Sequence, residues 1–343
     1  AEAFMDNVPM LVLACGIRSD TGTSYQLHAI DQLAMLAPIT KATFAVKTAD
    51  DIYPMIREAI SVARRGTPGP VAVEIPMNLL LLSQKVEPLA YTEPPSTAPS
   101  PDREQIELAA RMLGEAEHPA FYVGAGAAGG VEQLVELAEK LGAPVTTSIQ
   151  GKGVFPESHP LWLWNGFGAQ APPFVRRVMK RCDCLLAIGC RFSEVATGSY
   201  GLDPPERLIH VDIDPSVFHR NYRATLAIAG DAAEFVDALT ALIHGSRPAS
   251  GLREEIADGH RKLSARWRRG GSRTRVSPHA LFAALQRHAG ADAVFVTDSG
   301  NGTFLAMEHL RLERPGCFIG PVDFSCMGYS VPAAIGAAFA NPQ

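Results

Sequence analysis

Short apolar runs alternate with stretches of helical period along this chain, and the alternation recurs from end to end. Pro9 to Cys15 forms a continuous apolar run of strand length, Asp50 to Arg65 spaces its apolar positions as an amphipathic helix does, and Val71 to Ile75 is a second buried-strand run. The pattern resumes with helix Arg103 to Ala116, strand Ala120 to Val123, a glycine-rich stretch Gly124 to Gly130 and helix Val131 to Leu141. Strands Pro144 to Ile149, Cys184 to Ile188 and Leu208 to Ile213 and helix Ala232 to Ile243 follow. A last group opens with Ser277-Pro278, a capping residue before proline at the first helical position, and predicts helix His279 to His288, strand Ala293 to Asp298, a helix after Gly302 and a small-residue helix Val331 to Ala340. Apolar strands alternating with helices build parallel sheets with right-handed crossovers, so the fold class is α/β.

Two breaks divide the pattern. Glu87 to Arg103 is rich in Pro, Ser and Thr and cannot continue helix or sheet, and His244 to Val276 is polar with room for one helix. The expected organisation is a first domain over 1–90, a linker over 91–102, a central domain over 103–245, a linker over 246–276 and a third domain over 277–343. The start AEAFMDNVP lacks an initiator Met and the chain stops at Ala340-Asn341-Pro342-Gln343, so the sequence reads as an excerpt whose outer two domains are incomplete.

Composition narrows the function classes. With 47% hydrophobic and 20% charged residues over 343 positions the chain has material for several cores. The 31 basic and 36 acidic residues, net charge -5, form no long run of one sign, and the mildly basic stretch Arg261 to Arg275 reads as a solvated face, so no nucleic-acid partner is expected. Cysteines at 15, 182, 184, 190, 317 and 326 are scattered, several in apolar runs, as in a reduced intracellular protein, and Cys182 and Cys184 have no second pair to complete a zinc site. No stretch is apolar over the roughly 20 residues a membrane helix needs, and the expected location is the cytoplasm.

Candidate chemistry gathers at two glycine-bearing turns. Gly124 to Gly130 follows a strand and opens a helix, where backbone N–H groups can face a phosphate, yet the spacing is not G-x-G-x-x-G and a merely tight turn explains it as well. Asp298-Ser299-Gly300-Asn301-Gly302-Thr303 ends a strand and starts a helix, where ligands bind in open α/β sheets; an Asp-capped loop is the plain alternative. No nucleophile elbow and no H-E-x-x-H occur, and His28, His210, His219 and His279 stand alone. His28 and Lys41, after Pro38-Ile39-Thr40, are able to line a cleft, but spacing alone assigns neither, and Met327 taken alone reads as a core filler.

Longer motifs carry a resemblance. Thr67-Pro68-Gly69-Pro70-Val71-Ala72-Val73-Glu74-Ile75-Pro76 and Pro38-Ile39-Thr40-Lys41 resemble the pyrimidine-binding domain of the acetolactate synthase superfamily of thiamine diphosphate enzymes. Gly189-Cys190-Arg191-Phe192, Thr197-Gly198 and His210-Val211-Asp212-Ile213-Asp214-Pro215 are similar to its central, Rossmann-like domain. Asp298 to Gly302, with Ser325-Cys326-Met327-Gly328-Tyr329-Ser330-Val331-Pro332-Ala333-Ala334-Ile335-Gly336, resembles its diphosphate-binding domain.

The resemblance implies three parallel-sheet α/β domains and a carboligase. A 2-keto acid, pyruvate first, would be decarboxylated on thiamine diphosphate and its remaining carbons joined to a second carbonyl compound, giving acetolactate. It implies that His28, Lys41 and Met327 act at the reacting centre, with Met327 as the apolar wedge that bends the cofactor and Ser325 offering its carbonyl to the cofactor amino group. Ser299, Gly300, Asn301 and Gly302 would meet the diphosphate, and Gly124, Gly126 and Arg191 a second cofactor, FAD, which stays open because Val195 stands where the family carries a flavin-contacting Arg. His28 and Ala29 replace a Gln and a Glu of that family, which leaves glyoxylate carboligation, sulfoacetaldehyde acetyl transfer and 2-keto acid decarboxylation open, with a non-catalytic nucleotide-binding module as the reading from another class. Mg2+ ligands and the family's catalytic Glu are expected beyond this chain, which alone is expected not to turn over. A homo-oligomer, at least a dimer, and a regulatory subunit are the implied partners.

Overall fold

The computed structural model describes residues 1–81, 83, 85, 91, 92, 94, 98–269, 274–290 and 292–341. Parts of both expected breaks, at 87–90, 93, 95–97 and 270–273, lie outside the described residues, as do Pro342 and Gln343. Contacts divide the chain into two units, Ala1–Ala98 and Pro99–Gln343.

In the first unit, helix α1 (Glu2–Met5) precedes strand β1 (Leu11–Gly16), helix α2 (Gln32–Leu36), strand β2 (Ala42–Ala45), helix α3 (Ile52–Arg64), strand β3 (Val71–Pro76) and helix α4 (Met77–Leu81). The sheet order is β1-β3-β2, all parallel. Thr48 and Asp51 form a capping box just before α3: the Asp51 carboxylate accepts from the Thr48 N–H at 3.0 Å and from its hydroxyl at 2.8 Å. Ala59 and Ala63 of α3 then bury against Val71, Val73 and Ile75 of the central strand.

The second unit continues with helix α5 (Arg103–Glu115), β4 (Pro119–Val123), α6 (Val131–Leu141), β5 (Val145–Thr147), β6 (Trp162–Asn165), α7 (Pro173–Met179), β7 (Cys184–Ile188), β8 (Leu208–Asp212), β9 (Leu226–Ala229), α8 (Ala232–Leu242) and the twenty-residue α9 (Ser250–Arg269). It closes with α10 (Pro278–Ala289), β10 (Phe295–Val296), α11 (Asn301–His309), β11 (Phe318–Ile319) and α12 (Ser330–Ala340). Six parallel strands run in the order β6-β5-β4-β7-β8-β9, and β10 pairs with β11 in a separate parallel ribbon. Because chain order reverses between β4 and β7, this is the doubly wound arrangement, with its switch point at the loops that follow those two strands. Strands β4, β5, β7 and β8 are buried at every position, and β4 and β7 accordingly show in the sequence as unbroken apolar runs.

The fold class is the expected one, and the differences are local. Strands β2, β6, β9 and β11 were not expected from the pattern; each has at most four residues, too few to display a period. The expected strands Pro144 to Ile149 and Ala293 to Asp298 are cut to Val145–Thr147 and Phe295–Val296, because their flanking residues turn into loops. Among the described residues no helix is long and apolar enough to cross a membrane.

Candidate active site

The loop that leaves β10 is held by one carboxylate. Asp298 Oδ1 accepts from the Ser299 N–H at 2.8 Å and from the Gly328 N–H at 2.9 Å, while Oδ2 accepts from the Ser330 N–H at 2.9 Å and its hydroxyl at 2.7 Å. The donors from Ser330 and Gly328 hold the Asp298 carboxyl down to about 2. Asp298 therefore fastens the turn before α12 and leaves α11 without a side-chain cap: its N-cap is Gly300, at φ +116°. The N–H groups of the first helical turn have no partner within the helix, so Asn301 and Gly302, both exposed, offer donors at its positive end.

The same clip gathers the other residues of this group. The Ser299 and Ser325 hydroxyls lie 2.8 Å apart, so the two loops meet directly. Ser325 adopts φ +61°, a left-handed conformation costly for a residue with a Cβ. Two residues on, Met327 keeps 89% of its surface exposed, so it is no core filler. Ser299, Gly300, Asn301, Gly302, Ser325 and Met327 are thus one neighbourhood around Asp298.

His28 and Lys41 belong to the first unit. His28 is exposed in the long loop between β1 and α2, at φ +66°, with Tyr25 at +59° nearby. The Lys41 ammonium donates to the carbonyls of Arg65 and Thr67, the latter at 2.8 Å, and its amine is pushed down by burial and by the Arg65 charge. Lys41 thus ties the start of β2 to the turn ahead of β3.

At the switch point, Gly124 and Gly126 serve close approach. A Cβ on Gly124 would stand 2.0 Å from the Gly189 carbonyl oxygen, and one on Gly126 would lie 2.8 Å from Gly189 Cα. Their N–H groups are donated inside the protein, Gly124 to the Ile188 carbonyl at 2.9 Å and Gly126 to that of Gly189 at 3.1 Å. This turn offers a phosphate neither of those donors. Arg191 donates to Asp323 at 2.8 Å, and Gln150 donates to the same oxygen at 3.0 Å. Val195 lines a cavity of about 220 Å³ with Trp164, Thr197, Gly198, Phe304 and Met307.

Sequence reasoning missed Asp323 and Ser330. Their partners lie 132 and 32 residues away, and no local pattern signals such pairing.

Comparison with known proteins adds the following. Residues 106–239 match the central domain of thiamine pyrophosphate enzymes, and residues 298–343 match their C-terminal TPP binding domain. The chain is 34% identical over 359 residues to the acetolactate synthase large subunit of Mycobacterium tuberculosis, covering 100% of this chain and 57% of that protein. It is 31% identical to the acetolactate synthase large subunit of Corynebacterium glutamicum and 31% to a probable one of Methanocaldococcus jannaschii, again over the whole chain and over 56% and 60% of those proteins. This chain therefore spans little more than half the length of these relatives.

Proposed function

This chain belongs to the thiamine pyrophosphate enzymes, and we propose that it is the part of a thiamine diphosphate dependent carboligase that condenses pyruvate to acetolactate. The observation that carries the reading is the Asp298 clip, which holds the exposed Met327 turn beside the uncapped start of α11. The N–H groups of Asn301 and Gly302 suit a diphosphate, since a helix N-terminus with no acidic cap receives an anion without competition. Met327 supplies an apolar wedge and Ser325 a carbonyl acceptor at a fixed spacing from it. The bound cofactor supplies the electron sink for decarboxylation, and the protein supplies placement and exclusion of water. His28 and Lys41 are proposed on the substrate side. The similarity to proteins called large subunits supports a regulatory partner, and a homo-oligomer and cytoplasmic location are proposed with it.

Magnesium belongs to the same proposal, with ligands sought elsewhere, because among the described residues no three His, Cys, Asp or Glu side chains gather. The three-domain division and the inability of these residues alone to turn over are proposed likewise. No step is drawn through flavin: Gly124 and Gly126 have spent their N–H groups and Val195 brings no cation.

The test is a product assay on the full-length enzyme with thiamine diphosphate and magnesium, offering pyruvate, glyoxylate, sulfoacetaldehyde and branched 2-keto acids in parallel. Acetolactate from pyruvate is expected. Turnover of only another substrate would retain the cofactor reading and replace the substrate.

A further inference from the structure

A cavity of about 590 Å³ lies at the far end of α11, walled by Trp162, His260, Trp267, His309 and Arg311 and by Ala283 of α10. Helix α11 has nine residues, so at 1.5 Å each this end is roughly 13 Å from Asn301. The cavity is separate from the neighbourhood around Asp298.

Its polar groups are only partly satisfied. The Arg311 guanidinium stacks over Trp162, 4.7 Å from the ring centre, and over Trp164 at 5.2 Å. One of its nitrogens, Nη1, donates to the carbonyls of Glu308 and Leu310 at 3.0 and 3.1 Å. Among the described residues no carboxylate forms an ion pair with it, although Arg311 is only partly exposed; the Glu157 and Glu308 carboxylates act on its charge from beyond that distance. Trp162 is 98% buried and its indole N–H has no partner, and His309 Nδ1 is likewise buried and unpartnered. Desolvation depresses both His260 and His309 to about 4, so near neutrality they present uncharged rings beside the Arg311 guanidinium, with Glu157 also in the lining. The walls are planar: the His260 ring stacks on Trp162 at 5.1 Å and 11°, and His309 meets Trp267 edge-on at 4.2 Å.

A guanidinium with no carboxylate in ion-pair contact and an indole N–H without an acceptor both favour a further, anionic acceptor, and aromatic walls call for a flat apolar body. We propose that this cavity is a second ligand site, which takes a small planar organic carboxylate with its charge on Arg311 and its ring among Trp162, Trp267 and His309. It stands independently of the carboligase reading, because it uses none of the residues assigned to the cofactor.

The probe is 2-naphthoate, compared with its uncharged amide by titration calorimetry on the full-length enzyme. Saturable binding of one equivalent of the acid is expected, with the amide at least tenfold weaker. Arg311→Gln is expected to bring acid and amide to equal affinity, and Ala283→Phe, which fills the cavity from α10 and leaves Arg311 untouched, to abolish both. The proposal is overturned by no binding of the acid, by equal binding of acid and amide to the unaltered enzyme, or by binding that survives Ala283→Phe.

Discussion

Asp298 spends its whole carboxylate on four donors, two of them 32 residues away on Ser330. Its charged form is what those donors stabilise, so the folded protein holds this proton less tightly than the unfolded chain does. Its contribution to stability is present above the usual carboxylate value near 3.8 and is lost as pH falls toward about 2. Asp298→Ala should free the Met327 turn: we expect weaker thiamine diphosphate binding by at least tenfold, read by cofactor titration, with a smaller change in the KM of the keto acid. An unchanged cofactor affinity would separate the clip from the cofactor. Ser325 tests the backbone instead. Relief of its left-handed φ, about 1–2 kcal/mol, is offset in Ser325→Gly by the lost hydroxyl contact and a freer unfolded chain, so stability should move by no more than about 0.5 kcal/mol. Ser325→Val keeps the penalty and adds a branched Cβ, and should lower the urea midpoint clearly. The residue types at these positions were legible in the sequence; the reason for them was not, because Asp298 serves α12 rather than the helix it precedes.

Helix α11 is fixed at its other end by a buried ion pair from the segment between β5 and β6. The Lys152 ammonium donates to both Glu157 oxygens, at 2.9 and 2.8 Å, and to the Leu310 carbonyl at 3.0 Å, with both side chains fully buried. Glu157 in turn accepts from the Leu312 N–H at 3.1 Å. Burial pushes Lys152 down to about 8 and Glu157 up, against their mutual attraction; the bidentate geometry argues for the charged pair near neutral pH. Removing one partner strands the other charge, so Lys152→Ala should cost about 3–5 kcal/mol in denaturant unfolding, whereas Lys152→Met combined with Glu157→Leu should lose less than half of that. A double variant as damaged as the single would assign the cost to packing alone. Long elements with a clear apolar period, α3, α5, α6 and α8, were readable within a residue or two of their ends. Strands such as β6 and β9 were not, since four residues between turns acquire strand character only from neighbours placed by the rest of the sheet.

Across the second unit, three histidines share one electrostatic condition. His210 is 1% exposed and accepts no charge easily: burial takes it to about 4, with Nε2 donating to the Cys190 carbonyl at 2.8 Å. His260 and His309 are depressed to the same value, first by desolvation and then by neighbouring charge, Arg311 on His260 and both His279 and Arg311 on His309. Between the ordinary histidine value of 6.5 and about 4 the unfolded chain binds these protons and the folded chain refuses them. Stability from this source is therefore complete above 6.5 and declines as pH falls through that window, before the carboxylates of the Asp298 type begin to matter. Urea midpoints should drop steadily across it, and His260→Phe, which keeps a flat ring on Trp162, should flatten part of the slope. A midpoint constant down to pH 4.5 would mean that water reaches these rings and that their desolvation is far smaller than their packing implies. All three lie in the unit that carries α11 and α12, so acid should loosen the Asp298 neighbourhood while its own carboxylate is still ionised. Cofactor affinity should then fall with the histidine window rather than with the pKa of Asp298.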